Sequence, residues 1–321
     1  MSLRDKLQAC ITDDGIEFGI AVQHIESGEE TPINADTVFP TASVFKVPVM
    51  VEVFKQARVG KFDLNDRLEL KTRHKTLTTG VLLQLQDGLQ LTIRDLVMLM
   101  TIVSDNTATA MLMELVGPEN VTATMHDLGL TSMEINMTVH EMFLHAFGVA
   151  DQPDISVTAL RDRARKVQMD YQSRTFSRDR DNNVASPADM TRLMAMIFKG
   201  EVVDRAACDE MLTILSHQQY DDRLPRYLPW YTVYHKTGSM RGLRNDSGVI
   251  YCNENSHVAF TVFSFDSSEL PISNPRLGVQ RSLLVEDMMG EMGLAIYEHY
   301  GGEFPAEENA RATEEKLPSC G

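Results

Sequence analysis

Three short motifs in fixed order constrain this chain more than anything else in it: Ser43-Val44-Phe45-Lys46, then Ser104-Asp105-Asn106, then Lys236-Thr237-Gly238. Each alone is weak. A Ser-x-x-Lys is most simply an N-cap serine followed by a surface lysine. A Ser-Asp-Asn between two apolar helical runs is a capping signal, and a Lys-Thr-Gly is a strand-end turn. Found together, each in a suitable local context, they require a fold in which three distant stretches converge on one crevice.

The residue types suit acyl transfer. A serine hydroxyl is a poor nucleophile near neutral pH and needs an adjacent base. Ser43 lies at the start of a helical stretch, and Lys46, three residues on, shares its face one turn away. An ammonium held in a dry cleft beside other cations loses its proton, and the resulting amine accepts one from serine. The same helix start offers the Ser43 N–H to a developing oxyanion, with the Ser239 N–H as the expected second donor. Ser104 supplies a second hydroxyl to relay a proton to a leaving nitrogen, and Asn106 an amide to hold Lys46 and a substrate carbonyl. Lys236 and Thr237 suit a substrate carboxylate, and Gly238 lets a ligand approach the backbone closely. Arg241 and Arg244 follow closely, and solvated arginines are the plainer reading of both.

Periodicity places these motifs. Leu3 to Ile11 reads as an amphipathic helix, Phe18 to Ile25 as a strand, and Glu26 to Glu30 as a turn into a second short strand. Val47 to Val59 reads as a helix, and from there to about Gly200 the chain reads as mostly helical. Within it, Thr92 and Asp95 form a capping-box-like start, and Ser186-Pro187 opens a helix ending at Gly200. The last third changes period: Tyr231–His235, Gly248–Cys252 and His257–Phe265 read as strands, followed by a helix from about Gln280 to Tyr297. Strands at both ends around a helical middle imply a sheet built from the two termini. The expected division is 1–42 with 205–300 as the sheet domain, 43–204 as an inserted helical domain, and 301–321 as a flexible acidic tail. Methionines 98, 100, 111 and 113 read as core packing.

A formal net charge of −16 repels phosphate backbones and anionic membrane surfaces, so nucleic-acid and membrane partners are not expected. Cys10, Cys208, Cys252 and Cys320 show no metal or disulfide spacing. His140 and His145 stand five apart and diverge by roughly 140° on a helix, so no metal site is read there. The N-terminus lacks the apolar run of a signal peptide. The expectation is a cytoplasmic protein as written, or a periplasmic or secreted one if a leader has been removed. Oligomeric state is not legible.

With these residues, the stretch from Phe18 to Tyr297 resembles the penicillin-recognising serine hydrolases, and more closely their class A β-lactamase-like branch. The resemblance implies an α/β (α+β) fold: an antiparallel β-sheet flanked by helices, packed against an all-α domain, with the site between them. It implies Ser43 as the acylated nucleophile, Lys46 as its base partner, Ser104 as proton shuttle and Asn106 as a substrate contact. Lys236 and Thr237 would clamp the carboxylate of a small-molecule or peptide-like substrate, with no cofactor. The activity implied is hydrolysis of β-lactams or a related amide. The alternatives are a D-amino-acid peptidase, amidase or esterase, and a β-lactam-binding sensor with little turnover. One departure bears on turnover. Class A enzymes carry Glu-x-x-Leu-Asn after the second motif, its Glu activating the deacylating water. Here Glu141-Met142-Phe143-Leu144-His145 stands at nearly the right distance with His145 in place of Asn, making Glu141 the expected deacylation base. The interval to the third motif is longer than in typical members. The extra residues lie around 148–183, where Asp170 is a weaker candidate base.

Overall fold

The computed structural model describes residues 1–304 apart from 78, 267 and 269–274. Ser2 and Asp5 cap each other's backbone to start α1 (Leu3–Cys10). Then come β1 (Ile16–His24), β2 (Glu30–Ile33) and the two-residue β3 (Phe39–Pro40). A 3-10 turn, Ala42–Phe45, runs directly into α2 (Lys46–Arg58).

Residues 59–92 depart from the helical reading. They carry only 3-10 turns and the short antiparallel pair β4 (Arg67–Glu69) and β5 (Gln90–Thr92). Local side-chain bonds explain this: Asp63 accepts the Asn65 N–H and Asp66 the Asp63 N–H, giving the backbone turns in place of a helix ladder. Helix then dominates, in α3 (Ile93–Ile102), α4 (Asn106–Val116), α5 (Pro118–Asp127), α6 (Val139–Ala146) and α7 (Val157–Ala164). The short β6 (Val184–Ala185) pairs with β3 and leads into α8 (Pro187–Lys199) and α9 (Arg205–Ser216). The chain ends in β7 (Val233–Met240), β8 (Leu243–Asn253), β9 (Ser256–Asp266) and α10 (Pro275–His299). Most of the expected acidic tail, 305–321, lies outside the described residues.

The described residues form a five-stranded antiparallel sheet in the order β2-β1-β9-β8-β7, so first and last strands in sequence meet at its centre. Its two faces are buried by different layers, as the period-2 alternation of strand side chains requires. Ile16, Phe18, Ile20 and Val22 of β1, with Val258, Phe260 and Val262 of β9, pack on α1 and α10. Val249, Ala259 and Phe263 on the other face join the large core shared with α8 and the helical region. Met100, Met111 and Met113 are buried in that core. Among the described residues no helix is long and apolar enough to cross a membrane.

The edge strand β7 positions the site. It lies against the Ala42–Phe45 turn on one side and pairs with β8 on the other. The segment before it, 217–232, is pinned by α10, where Gly293 sits against the Leu224 carbonyl with no room for a Cβ. Replacing Gly293 by Ala is therefore expected to destabilise the fold by about 1–3 kcal/mol, through overpacking of a fixed backbone contact. A urea midpoint unchanged from wild type would show that this contact yields freely.

Candidate active site

The first and third motifs touch through backbone. A Cβ added to Gly238 would fall 2.6 Å from the Thr41 carbonyl oxygen and 3.1 Å from the Ser43 nitrogen. Only glycine lets β7 pass this close to the Ser43 turn. Strand β7 continues through Ser239 to Met240, where the sequence suggested that it stops at the motif. Ser43 sits on the 3-10 turn, half-buried, and lines a cleft of about 210 Å³ together with Ser104, Asn106, Thr237 and Ser239.

Lys46 lies at the start of α2 and is 1% exposed. Its Nζ donates to the Ser104 carbonyl at 2.8 Å and the Asn106 Oδ1 at 2.8 Å, and lies 3.0 Å from the Ser104 hydroxyl. Burial brings its pKa from the usual lysine range down to about 7, against the opposing pull of Asp105. Lys236, equally buried, reaches the same Ser104 hydroxyl from the opposite side at 3.2 Å and donates to the Thr237 carbonyl at 2.6 Å. Burial, then the Lys46 and Arg223 cations, push it well below the ordinary lysine range. The hydroxyl meeting both amines is thus that of Ser104. Among the described residues the Ser43 hydroxyl has no hydrogen-bond partner, which leaves its oxygen open to the cleft.

The Ser104 loop holds its shape through Asp105. Ser104 adopts φ +54, a left-handed conformation that turns both its carbonyl and its hydroxyl toward Lys46. Asp105, fully buried, accepts four backbone N–H groups: Thr107 and Ala108 at the start of α4, and Val81 and Leu82 across the loop. Thr79 adds a bond to the Ser104 carbonyl. Asn106 donates to the Leu77 carbonyl, which orients its oxygen to Lys46.

Three side chains stand elsewhere than expected. Glu141 does not enter the cleft: it is exposed and occupies the N3 position of a capping box. Its Oε2 takes the Thr138 N–H at 2.7 Å and the Thr138 hydroxyl at 2.8 Å. The cleft wall from α6 is apolar instead, made by Val139, Met142 and Phe143. Asp170 is likewise exposed and accepts the Gln172 N–H. Arg244 is not solvated: it is bound by Glu286 at 2.9 Å and by Ser282 at 2.6 Å, at one end of the cleft.

Sequence reading missed Arg223. It is buried among the cleft residues, donating to the Gly238 and Asn245 carbonyls at 3.1 and 2.7 Å and to the Ser239 hydroxyl at 2.5 Å. Burial pushes its guanidinium down from the ordinary range, but arginine keeps its proton. No motif marks it; its place comes from the packing of segment 217–232 beneath β7.

A sheet-plus-helices fold with two serines lining a cleft, and two buried lysines on the hydroxyl of one of them, is the architecture of a serine acyl-transfer protein. A family model described as the beta-lactamase enzyme family matches residues 2–300, and the chain belongs to that family. The β-lactamase of Sphaerobacter thermophilus DSM 20745 superposes with a TM-score of 0.73 at 26% identity, covering 94% of this chain and 98% of that one. The β-lactamase regulatory protein BlaB of Streptomyces cacaoi is 28% identical over 143 residues, 44% of this chain and 46% of BlaB. The β-lactamase PSE-4 of Pseudomonas aeruginosa is 29% identical over 113 residues, 35% of this chain and 39% of PSE-4. In these matches the chain spans less than half the length of either curated relative.

Because four backbone donors converge on one carboxylate, Asp105→Ala is expected to lower stability by about 3 kcal/mol or more. Chemical denaturation checks this; a loss under about 0.5 kcal/mol would show that the loop is held by something else.

Proposed function

We propose that this chain is a serine hydrolase of the β-lactamase type, acylated on Ser43 by β-lactams or a related carboxylate-bearing amide, and that it releases its acyl group slowly. The observation that carries this reading is the split between the two halves of the cycle. The residues for acylation gather around one cleft, whereas the carboxylate expected to activate the deacylating water is tied to Thr138 outside it.

The geometry supports the acylation half. With its pKa at about 7, Lys46 is substantially neutral at physiological pH, and its lone pair serves as the base for the Ser43 hydroxyl. Attack of the Ser43 oxygen on the substrate carbonyl forms the carbon–oxygen bond. The charge developing on the carbonyl oxygen falls to the Ser43 and Ser239 N–H groups. The proton taken by Lys46 passes through the Ser104 hydroxyl, which lies between both amines, to the leaving nitrogen as its bond to carbon breaks. A substrate carboxylate is received by Lys236, Thr237 and Arg223. Its negative charge offsets the cost of holding these cations in a dry site, so binding and cation burial reinforce each other.

A β-lactam-responsive sensor is the second reading, favoured by the similarity to a protein described as regulatory. Both readings share the acylation step and differ in how long the adduct lasts.

Mass spectrometry of the full chain mixed with benzylpenicillin tests the proposal. The expected result is a one-to-one adduct that outlives mixing by minutes or more, is lost in Ser43→Ala, and persists equally long in Glu141→Gln. Rapid turnover that stalls only in Glu141→Gln would return that residue to catalysis and overturn the slow-release reading; no adduct with the wild-type chain would overturn the acylation itself. The pH dependence is set by Lys46. Because the neutral amine is the active form, the acylation rate should rise through pH about 7 and level off above it. Lys46→Arg, which keeps the charge but cannot lose its proton, should abolish that limb along with most of the rate.

A further inference from the structure

The segment joining α9 to β7 has two faces, and the cleft uses one of them. Tyr220, Asp222 and Arg223 line the cleft, while Gln219 and Asp221, alternating with them, face outward. The outward side opens on a second cavity of about 340 Å³, larger than the cleft, with His217, Asp221, Pro229, Trp230, Tyr231 and His235 in its wall. The two cavities therefore share a wall one chain thick.

Trp230 and Tyr231 are 76% and 72% exposed, adjacent, with ring centroids 5.2 Å apart. A pair of large aromatic rings left in water is unusual unless something covers it. Tyr231 also has φ +63, a left-handed conformation that costs a non-glycine residue of order 1–3 kcal/mol and persists mainly where the position is functional. The backbone is strained where it presents the rings. Polar groups stand beside them. His235 is 2% exposed, and its Nδ1 meets the buried Asp246 carboxylate at 2.7 Å, which leaves Nε2 as the ring nitrogen outside that contact. Among the described residues His235 Nε2 and the side chains of His217 and Asp221 have no hydrogen-bond partner.

We infer that this outer cavity is a binding site for a neutral, hydroxyl-bearing ring, a saccharide unit, separate from the catalytic cleft. A sugar ring presents a C–H face that stacks on Trp230 and Tyr231 and a rim of hydroxyl donors for Asp221, His217 and His235. The cleft selects the opposite chemistry: Lys236 and Arg223 take an anion, which the Asp221 carboxylate would repel from the outer cavity. The outer cavity is built from its own residues, and its occupancy does not depend on acylation of Ser43.

Trp230 is the single tryptophan of the chain, so its emission reports occupancy without a label. The full chain is titrated with maltotriose and, separately, with the N-acetylglucosamine trimer, both uncharged. A saturable change in Trp230 emission with at least one of them is expected. It should weaken about tenfold or more in Asp221→Ala and in Tyr231→Ala, both of which keep the reporter, and persist in Lys236→Ala. Circular dichroism of each variant separates lost binding from lost folding. No saturable change with either saccharide would overturn the proposal. So would an equal response to phenol, which would make the cavity a generic aromatic site, and so would loss of the response in Lys236→Ala, which would place the sugar in the cleft.

Discussion

Two lysines buried on either side of one serine hydroxyl are the constraint around which this protein is built. Removing an ammonium from water costs several kcal/mol even after relaxation, and the cost grows when a second lies nearby. The structure answers with oxygen acceptors and with deprotonation. Lys46 has the Ser104 carbonyl and the Asn106 amide oxygen, Lys236 has the Thr237 carbonyl, and Ser104 Oγ stands between the two. A hydroxyl suits that middle position because it both donates and accepts. When one amine is neutral, the Ser104 proton can point at its lone pair while the Ser104 oxygen accepts from the other. Keeping two amines together out of water in this way also supplies the proton relay that the proposed acylation would need.

That solution transfers strain to the backbone. Ser104 must sit in the left-handed region to aim its carbonyl and hydroxyl at the same amine, a conformation unfavourable for any residue with a Cβ. Asp105 holds it there, with one oxygen on α4 and the other on the loop at 81–82. The middle residue of the second motif therefore never faces the cleft. It is as necessary to the site as its neighbours, because without its clasp the Ser104 torsion would relax and the bridge between the lysines would open.

The sequence disclosed much of this because the motifs are local and their capping chemistry is local too. Thr92 with Asp95, Ser186 with Pro187, and Ser104-Asp105-Asn106 between two helices all stand where side-chain hydrogen bonds require. The strands of the last third were legible from their alternation, although β7 extends further because Gly238 lets it continue past the Ser43 turn. The placement of Glu141 was legible too. Thr138-x-x-Glu141 is itself a capping-box signature, and a glutamate at N3 that reaches back to its own N-cap cannot also reach into a cleft. Arg223 carries no comparable signal. Its role follows from a loop folded under an edge strand and pinned by a glycine some seventy residues later, contacts that no local pattern encodes.

The placement of Arg223 also explains how segment 217–232 serves the site. Gln218 donates to the Thr101 carbonyl, the Gln219 N–H to Ile102, and the Tyr220 hydroxyl to Val103, so the loop caps the end of α3 just before Ser104. Farther along, the Leu224 N–H meets the Asp246 carboxylate that also holds His235, next to Lys236. One irregular segment thus braces the Ser104 loop at one end and the Lys236 strand at the other, with Arg223 between them. Loops usually carry function because a rigid scaffold positions them. Here the dependence also runs the other way: the loop fixes the distance between the turn that carries the Ser104 hydroxyl and the strand that carries Lys236, and a displacement of this segment would be felt at Ser104 and Lys236 together.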